Sequence, residues 1–338
     1  MRRFVARRLA GSLLVLLGLS VITFVLARVI PSNPAALYIG PKARPDDIAR
    51  VTHELGLDQP LPVQYLTYLG SVLRGDWGTS IGTKRPVLDD IVGRAPASLE
   101  LIAVAMLIAI PVGVFLGVLS ARWQGRAPDA LVRIVSIVGV SMPAFWLALL
   151  LQIVFFRDLH LLPLTGRVDA ELRFTAPIAN LTGFYFIDAL VTGNWTALGD
   201  AFRHVILPAV TLAAYPIGLI ARMTRSSMLE ALGQDYIRTA RAFGLRDRLV
   251  VYRLALRNAL LPVVTVTGLT LAYALTGTFF VEIVFNWPGL GTYAVRALLN
   301  VDYPVVMGIT LFAAAAYVLI NLVVDLAQAW LDPRIRLA

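Results

Sequence analysis

Six long runs without a charged residue or a histidine constrain this chain more than any other feature. They cover residues 9–27, 101–121, 134–156, 205–221, 258–281 and 303–324. Each has about the length that an α-helix needs to cross roughly 30 Å of hydrocarbon at 1.5 Å per residue. Because 58% of the residues are hydrophobic and 15% charged, a disordered chain is excluded. The pattern predicts an all-α polytopic membrane protein with six transmembrane helices.

Two details refine this prediction. Prolines interrupt or adjoin the runs, and neighbouring helices in a bundle would tolerate them as kinks; they are Pro111, Pro143, Pro208, Pro216 and Pro262. A seventh uncharged run at residues 174–187 is only about fourteen residues long and contains Pro177, Asn180 and Gly183. It is therefore predicted to be a loop or an interfacial segment.

The distribution of arginines predicts the orientation. On the six-helix interpretation, seventeen of the thirty basic residues face one side, whereas acidic residues outnumber basic ones on the other. The positive-inside rule makes the basic side cytoplasmic, with both termini inside. The net charge of +9 is then mainly a topology signal, and nucleic-acid binding is not expected. The basic start and the first run are interpreted as a retained helix rather than a signal peptide.

This topology divides the chain into regions. Residues 1–30 form the N-terminal tail and first helix, and residues 31–100 form a small extracytoplasmic insert. Residues 101–331 form a five-helix core that contains a cytoplasmic loop at residues 222–257, and residues 332–338 form a cytoplasmic tail.

Catalytic and metal-binding chemistry is poorly represented in the sequence. There is no cysteine, and the three histidines at positions 53, 160 and 204 are far apart, so no metal site is expected. The only lysines, Lys42 and Lys84, follow Pro41 and Thr83, so the glycine-lysine pair of a phosphate-binding loop is absent. We expect no catalytic residues, and any ATP hydrolysis would have to occur in another polypeptide.

The 222–257 loop carries eight arginines interleaved with apolar residues. Ala240 and Gly244 are one helical turn apart and would give a small-residue face that another protein could approach closely. The same residues also fit an amphipathic helix held by arginines against anionic headgroups. The composition leaves both interpretations open.

Several motifs resemble a known family. The segment RTARAFGL at residues 238–245, followed by LRNALLP at 256–262, resembles the cytoplasmic coupling-loop signature of ATP-binding-cassette (ABC) importer permeases of the dipeptide, oligopeptide and nickel branch. Similarity extends over nearly the whole chain, through segments GLDQP at 56–60, GDWG at 75–78, EIVFNWPGLG at 282–291 and DPR at 332–334. The chain departs from the general Glu-Ala-Ala signature at residues 238–240, and Phe243 stands where that branch often has a lysine.

The resemblance implies a fold and a mechanism. The fold would be that of type I ABC importer permeases, and transport would proceed by alternating access. Two cytoplasmic ATPase subunits would bind ATP and magnesium, so the permease itself would be neither an enzyme nor a cofactor protein. A second homologous permease and an extracytoplasmic substrate-binding protein would complete the system in the bacterial inner membrane.

The resemblance also implies two sets of site residues. Coupling to the ATPase would involve Asp235, Tyr236, Arg238, Thr239, Ala240, Arg241, Gly244 and Leu245. An outer loop or gate would involve Glu282, Phe285, Asn286, Trp287, Pro288 and Gly289. Glu282, an ionisable residue near hydrocarbon, is a candidate for function; the alternative is a cap or an ion-pair partner within the outer loops.

The leading hypothesis is a permease subunit for di- or oligopeptides. Nickel, glutathione and short oligosaccharides remain alternative cargoes of the same machinery. A stand-alone channel or secondary transporter is disfavoured because the spans contain almost no buried charge of the kind that ion relays need.

Overall fold

The computed structural model describes residues 2–29, 44–54 and 56–331. Within this part the chain is helical apart from turns, loops and a single β-bridge between Thr79 and Pro86. The DPR motif, the predicted tail at 332–338 and the beginning of the predicted insert, residues 31–43, lie outside the described residues.

Fourteen α-helices, numbered here from α1 to α14, are described. They are α1 (Arg2–Val29), α2 (Pro45–Glu54), α3 (Leu61–Leu73), α4 (Val87–Arg122), α5 (Ala127–Ser141), α6 (Ala144–Leu151), α7 (Leu172–Thr175), α8 (Tyr185–Val191), α9 (Trp195–Leu232), α10 (Asp235–Ala242), α11 (Asp247–Leu249), α12 (Leu256–Val284), α13 (Leu290–Leu299) and α14 (Tyr303–Leu331). The turns widen to π-helical geometry at Gln152–Asp158 and at Val250–Ala255.

Four described helices are long and apolar enough to cross a membrane, and they confirm the second, fourth, fifth and sixth predicted runs. They are Val87–Arg122, Trp195–Leu232, Asp247–Val284 and Tyr303–Leu326. The first predicted run falls on α1, where the described apolar stretch is the shorter Ala10–Val25. The short run at 174–187 forms a loop between α7 and the beginning of α8, as predicted.

The third predicted run, residues 134–156, is not one continuous helix. The helix axis bends by 109° between its two halves, α5 and the stretch Ala144–Asp158. Met142 has the extended backbone that a residue before proline favours, and Pro143 has no N–H to continue the helix. Prolines 96, 111, 208, 216 and 262, in contrast, lie inside continuous helices, so the expected kink is here a full break.

The chain divides into two compact units. The first contains residues of Met1–Ala95 and Thr292–Val318. In it, the ring of Phe24 packs 5.4 Å from that of Tyr65 and 5.8 Å from that of Tyr68. The Asp302 carboxylate accepts a 2.6 Å hydrogen bond from the Ser80 hydroxyl. This unit therefore fixes the loop before α4 through a buried carboxylate.

The second unit contains residues of Pro96–Gly291 and Leu319–Ala338. Helix α9 packs against both α12 and α5, and close approach depends on small residues. A methyl group added at Gly117 of α4 would overlap Thr224 of α9, and one added at Gly218 would lie 2.6 Å from the Ser136 carbonyl oxygen. The Gly113 and Gly117 pair therefore serves helix packing.

Candidate functional site

The 235–245 segment, which consists of α10 and the turn after it, is anchored by one apolar face. Ile237 and Ala240 are buried, with 0% and 7% of their surface exposed. They belong to an apolar cluster with residues of the flanking helices, including Val118, Met228 and Val250. Because the helix has only eight residues, this tertiary packing rather than intrinsic propensity stabilises it.

A Schellman turn ends the segment. The N–H of Gly244 donates to the Arg241 carbonyl oxygen at 2.9 Å, and the N–H of Leu245 donates to that of Ala240 at 3.2 Å. Gly244 has a φ of +76°, a conformation that glycine adopts without the steric cost of a side chain. The glycine of the motif is thus explained by the helix end, and no atom outside the local turn lies within 4 Å of the position of its missing side chain.

The remaining predicted coupling residues form the exposed side of this segment; they are Asp235, Tyr236, Arg238, Thr239, Arg241 and Leu245. Arg238 donates to the Asp235 carboxylate at 3.2 Å, and Asn258 donates to the Tyr236 hydroxyl at 2.9 Å. Phe243 is 82% exposed. Ala240 does not join this surface, because its side chain packs inward; the small-residue face expected from Ala240 and Gly244 is therefore not formed.

The 282–291 loop has the opposite character. Glu282, Phe285, Trp287 and Gly289 are buried, whereas Asn286 and Pro288 are exposed. The indole N–H of Trp287 donates to the Ala97 carbonyl oxygen at 2.8 Å, and its backbone N–H donates to the Glu282 carbonyl oxygen at 2.8 Å. Four of the six predicted gate residues are therefore packed inside the protein.

Ser98 links this loop to α4. Its hydroxyl donates to the Glu282 carboxylate and accepts a 2.8 Å hydrogen bond from the Leu290 N–H. A side chain at Gly289 would overlap both Glu282 and Ser98, so the glycine is required by close packing. Glu282 lies entirely inside the protein and positions the loop.

A buried ion pair beside this loop was not found from the sequence. Arg167 donates to the Glu100 carboxylate at 3.0 Å, and both side chains are about 5% exposed. The guanidinium lies 3.5 Å from the ring centre of Tyr185 and 5.6 Å from that of Trp287. Local motifs do not reveal this ion pair, because Arg167 and Glu100 are 67 residues apart in the sequence.

A second missed carboxylate lies where α4 gives way to α5. Asp129 has a 1% exposed side chain and accepts hydrogen bonds from Arg225 at 2.8 and 3.0 Å. Ser120 and the Gly125 N–H also donate to it. A carboxylate with four donors fixes the connection between α4 and α5 firmly. None of these partners is evident from the local sequence, in which Asp129 simply follows a proline.

Metal-ligand chemistry comes together at one place among the described residues. Asp169, Asp200 and His204 have potential ligand atoms within 4.8 Å of one another. His204 Nδ1 lies 2.9 Å from the Asp200 carbonyl oxygen, and an Asp200 carboxylate oxygen accepts from the Asp169 N–H at 2.8 Å. The second of these bonds ties the backbone of Asp169 to α9.

Comparison with known proteins identifies the family. The family described as "Binding-protein-dependent transport system inner membrane component" matches residues 113–337, and its N-terminal counterpart matches residues 1–102. The chain belongs to this family. It is therefore a membrane permease component of a binding-protein-dependent transport system rather than an enzyme.

Curated relatives match over almost their full length. The chain is 47% identical over 329 residues to the probable D,D-dipeptide transport system permease protein DdpB of Escherichia coli K12, covering 97% of this chain and 96% of the relative. It is 42% identical to the dipeptide transport system permease protein DppB of E. coli K12, covering 99% of each. It is 39% identical to the glutathione transport system permease protein GsiC of Salmonella typhimurium, again covering 99% of each.

Proposed function

We propose that this chain is a permease subunit of an ABC importer that carries di- or oligopeptides from an extracytoplasmic binding protein into the cytoplasm by alternating access. Two of the relatives, DdpB and DppB of E. coli K12, are named for dipeptide transport and support the peptide cargo. The observation that carries the mechanism is the 235–245 segment, which is held by buried Ile237 and Ala240 and exposes its charged and aromatic side chains. A partner that moves this segment would move the helices on which it is packed.

The proposed topology has six crossings, with both termini in the cytoplasm. The four long apolar helices supply four crossings, and α1 and the bent pair of α5 and α6 supply the other two. Residues 31–100 then form the extracytoplasmic insert, residues 101–331 the core with its cytoplasmic loop at 222–257, and residues 332–338 the tail. The excess of arginines on the 222–257 side supports this orientation.

The proposed assembly contains a second homologous permease and two cytoplasmic ATPase subunits, which bind ATP and magnesium. The two permeases share one translocation path in the bilayer. The exposed residues Asp235, Arg238 and Arg241 pair with charges on the ATPase, and Phe243 projects beyond them as an apolar anchor. Ala240 contributes indirectly, because its buried side chain anchors the segment to the apolar cluster.

The 282–291 loop serves the outer end of the path. Glu282, Trp287 and Gly289 fix its conformation through their buried contacts. Asn286 and Pro288 are exposed, and Asn286 has a φ of +46°. These two residues are therefore the proposed points of contact with cargo or with the binding protein.

Two matched phenylalanines test the docking role. Phe243→Ala and Phe174→Ala each remove an aromatic ring that is more than 80% exposed, but only the first lies in the 235–245 segment. After affinity purification of the tagged chain from its native host, Phe243→Ala is expected to reduce the recovered ATPase subunits strongly, while Phe174→Ala leaves them at the wild-type amount. Equal recovery with both variants would refute docking through this segment.

Cargo is tested with the reconstituted complex. Binding protein loaded with a dipeptide is expected to stimulate ATP hydrolysis more than the same protein offered nickel, glutathione or a short oligosaccharide. Glutathione is the alternative with support, because one 39%-identical relative is named for its transport. Stimulation by glutathione alone would replace the peptide proposal, and solute movement without ATPase subunits would favour a channel.

A further inference from the structure

A basic cavity lies beside the 235–245 segment. It has a volume of about 570 Å³, and its charged lining residues are Arg122, Arg126, Arg241 and Asp247. Three arginines and one aspartate therefore line it. Arg122 contacts the Asp247 carboxylate at 3.2 Å and Arg241 contacts it at 3.9 Å, so two arginines share a single counter-charge.

The fourth charged side chain, Arg126, has a different neighbour. Its guanidinium lies 5.5 Å from the centre of the Trp123 ring, and no carboxylate of the described residues forms an ion pair with it. The cavity thus keeps an excess of positive charge that an anion would neutralise. Guanidinium groups bind phosphate oxygens in a bidentate manner, which makes phosphate the best match for this lining.

The position of the cavity indicates where that phosphate comes from. Of the helices long and apolar enough to cross a membrane, two end at Arg122 and Leu232 and a third begins at Asp247, and all three residues line or border the cavity. The uncharged run of the first of these helices ends at Ala121, so the side of the cavity formed by Arg122 and Trp123 lies where that helix leaves the hydrocarbon. Trp123, 38% exposed, has the amphipathic ring that is enriched at membrane–water interfaces.

Part of the remaining wall is apolar, next to the amide side chain of Gln124. Ala121, Leu229, Leu232 and Val251 line the cavity alongside the arginines. A soluble anion has no apolar part to pack against these residues, whereas a phospholipid has a glycerol backbone and acyl chains next to its phosphate. Basic pockets between membrane helices are known to bind anionic headgroups. A volume of about 570 Å³ lies within the usual range for small-molecule sites.

We propose that this cavity binds the phosphate headgroup of an anionic phospholipid. The site requires only that the cavity lie at the membrane surface, so it does not depend on the cargo or on the ATPase. Because Arg241 belongs to α10, a bound headgroup would also brace the 235–245 segment from its inner side.

Native mass spectrometry of the full chain, purified in detergent with whatever subunits remain attached, provides the test. Phosphatidylglycerol is expected to be retained in preference to phosphatidylcholine with the same acyl chains. Arg126→Gln should weaken phosphatidylglycerol binding about fivefold, since one basic residue near an anionic headgroup contributes about that factor. Arg248→Gln is the matched control, because it removes one exposed arginine that follows Asp247 in the sequence but does not line the cavity.

Asp247→Asn gives a second test with the opposite sign. Removing the only carboxylate from the lining should tighten phosphatidylglycerol binding about fivefold, by the same reasoning. Equal affinities for the two lipids, equal weakening by Arg126→Gln and Arg248→Gln, or weaker binding in Asp247→Asn would each overturn the proposal. Displacement by millimolar inorganic phosphate would assign the cavity to a free anion, and lipid binding that occurs only after the ATPase subunits are removed would assign it to a protein partner.

Discussion

The 235–245 segment and the 282–291 loop are both short and both carry a motif, yet the first exposes most of its side chains and the second buries most of those predicted to form a gate. The 235–245 segment buries Ile237 and Ala240 and exposes the rest, including Phe243 at 82%. The 282–291 loop buries Phe285 and Trp287, each at 2% or less. The 235–245 segment is therefore an exposed surface anchored by a buried apolar face, whereas the 282–291 loop is held by buried side chains.

The difference shows that a motif alone does not say whether its residues meet a partner or their own protein. Each contains an aromatic residue close to a glycine, but Gly244 permits a left-handed turn while Gly289 permits close packing against Ser98 and Glu282. Substitutions should therefore separate the two regions: those in the 235–245 segment should affect coupling, and those in the 282–291 loop should affect stability.

The largest effect is expected for Trp287→Ala. The side chain is 1% exposed and its indole N–H donates to the Ala97 carbonyl oxygen, so truncation removes a large buried ring and leaves that oxygen without its donor. Comparable substitutions cost about 3–5 kcal/mol. The midpoint of thermal unfolding in detergent should fall sharply. Phe243→Ala, in contrast, should change the free energy of unfolding by no more than about 0.5 kcal/mol and leave the midpoint close to that of wild type. Similar losses from both would remove the distinction between the two regions.

Ser98→Ala should have the next largest effect. The hydroxyl serves both as donor to Glu282 and as acceptor for the Leu290 N–H. Its removal leaves a buried N–H without this acceptor, at a cost of about 1–3 kcal/mol. The same measurement detects it, with Ser226→Ala on the exposed face of α9 as control. A Ser98→Ala protein as stable as the control would show that the hydroxyl does not hold the loop.

Gly244 gives an intermediate prediction that separates conformation from contact. Valine at a φ of +76° should cost about 1–2 kcal/mol and distort the end of α10. Asparagine tolerates this backbone better. Peptide uptake should therefore be lost in Gly244→Val and largely kept in Gly244→Asn, with both chains inserted in the membrane. Loss of uptake in both variants would indicate that a partner contacts the glycine itself.

Hydropathy was sufficient to locate most of the membrane helices. Four of the predicted runs lie in long apolar helices, because the absence of charge over some twenty residues is a local property. The break at Pro143 was not evident, since Pro111, Pro208, Pro216 and Pro262 look the same in sequence and lie in continuous helices. Whether a proline kinks or breaks a helix depends on which neighbours satisfy the freed carbonyl groups.

The site was only partly predictable for a similar reason. The position of the 235–245 segment followed from its motif, but the inward direction of Ala240 depends on the helices packed around it. The ion pairs of Asp129 with Arg225 and of Glu100 with Arg167 join residues 96 and 67 positions apart. Such partners are fixed by the packing of helices, which no single stretch of sequence contains.

The smallest expected effect is a pH dependence in the segment between α7 and α9. Burial tends to raise the pKa of Asp188, but hydrogen bonds from the Thr182 hydroxyl and from the N–H groups of Thr182 and Gly183 outweigh it and lower the pKa. A lowered pKa means that the ionised carboxylate stabilises the fold above the pKa of the unfolded chain, about 4. That contribution is lost as the pH falls through the lower pKa of the folded state.

Asp188→Asn should therefore unfold at a lower temperature than wild type at pH 7, and the difference should shrink as the pH is lowered below about 4. Asp235→Asn, at the exposed start of α10, should match wild type at pH 7. If the unfolding temperature of Asp188→Asn stays below that of wild type by the same amount down to acid pH, the side chain acts through its shape rather than its charge. Residues 181–188 would then resemble the part of the 282–291 loop that Trp287 and Gly289 hold by close packing.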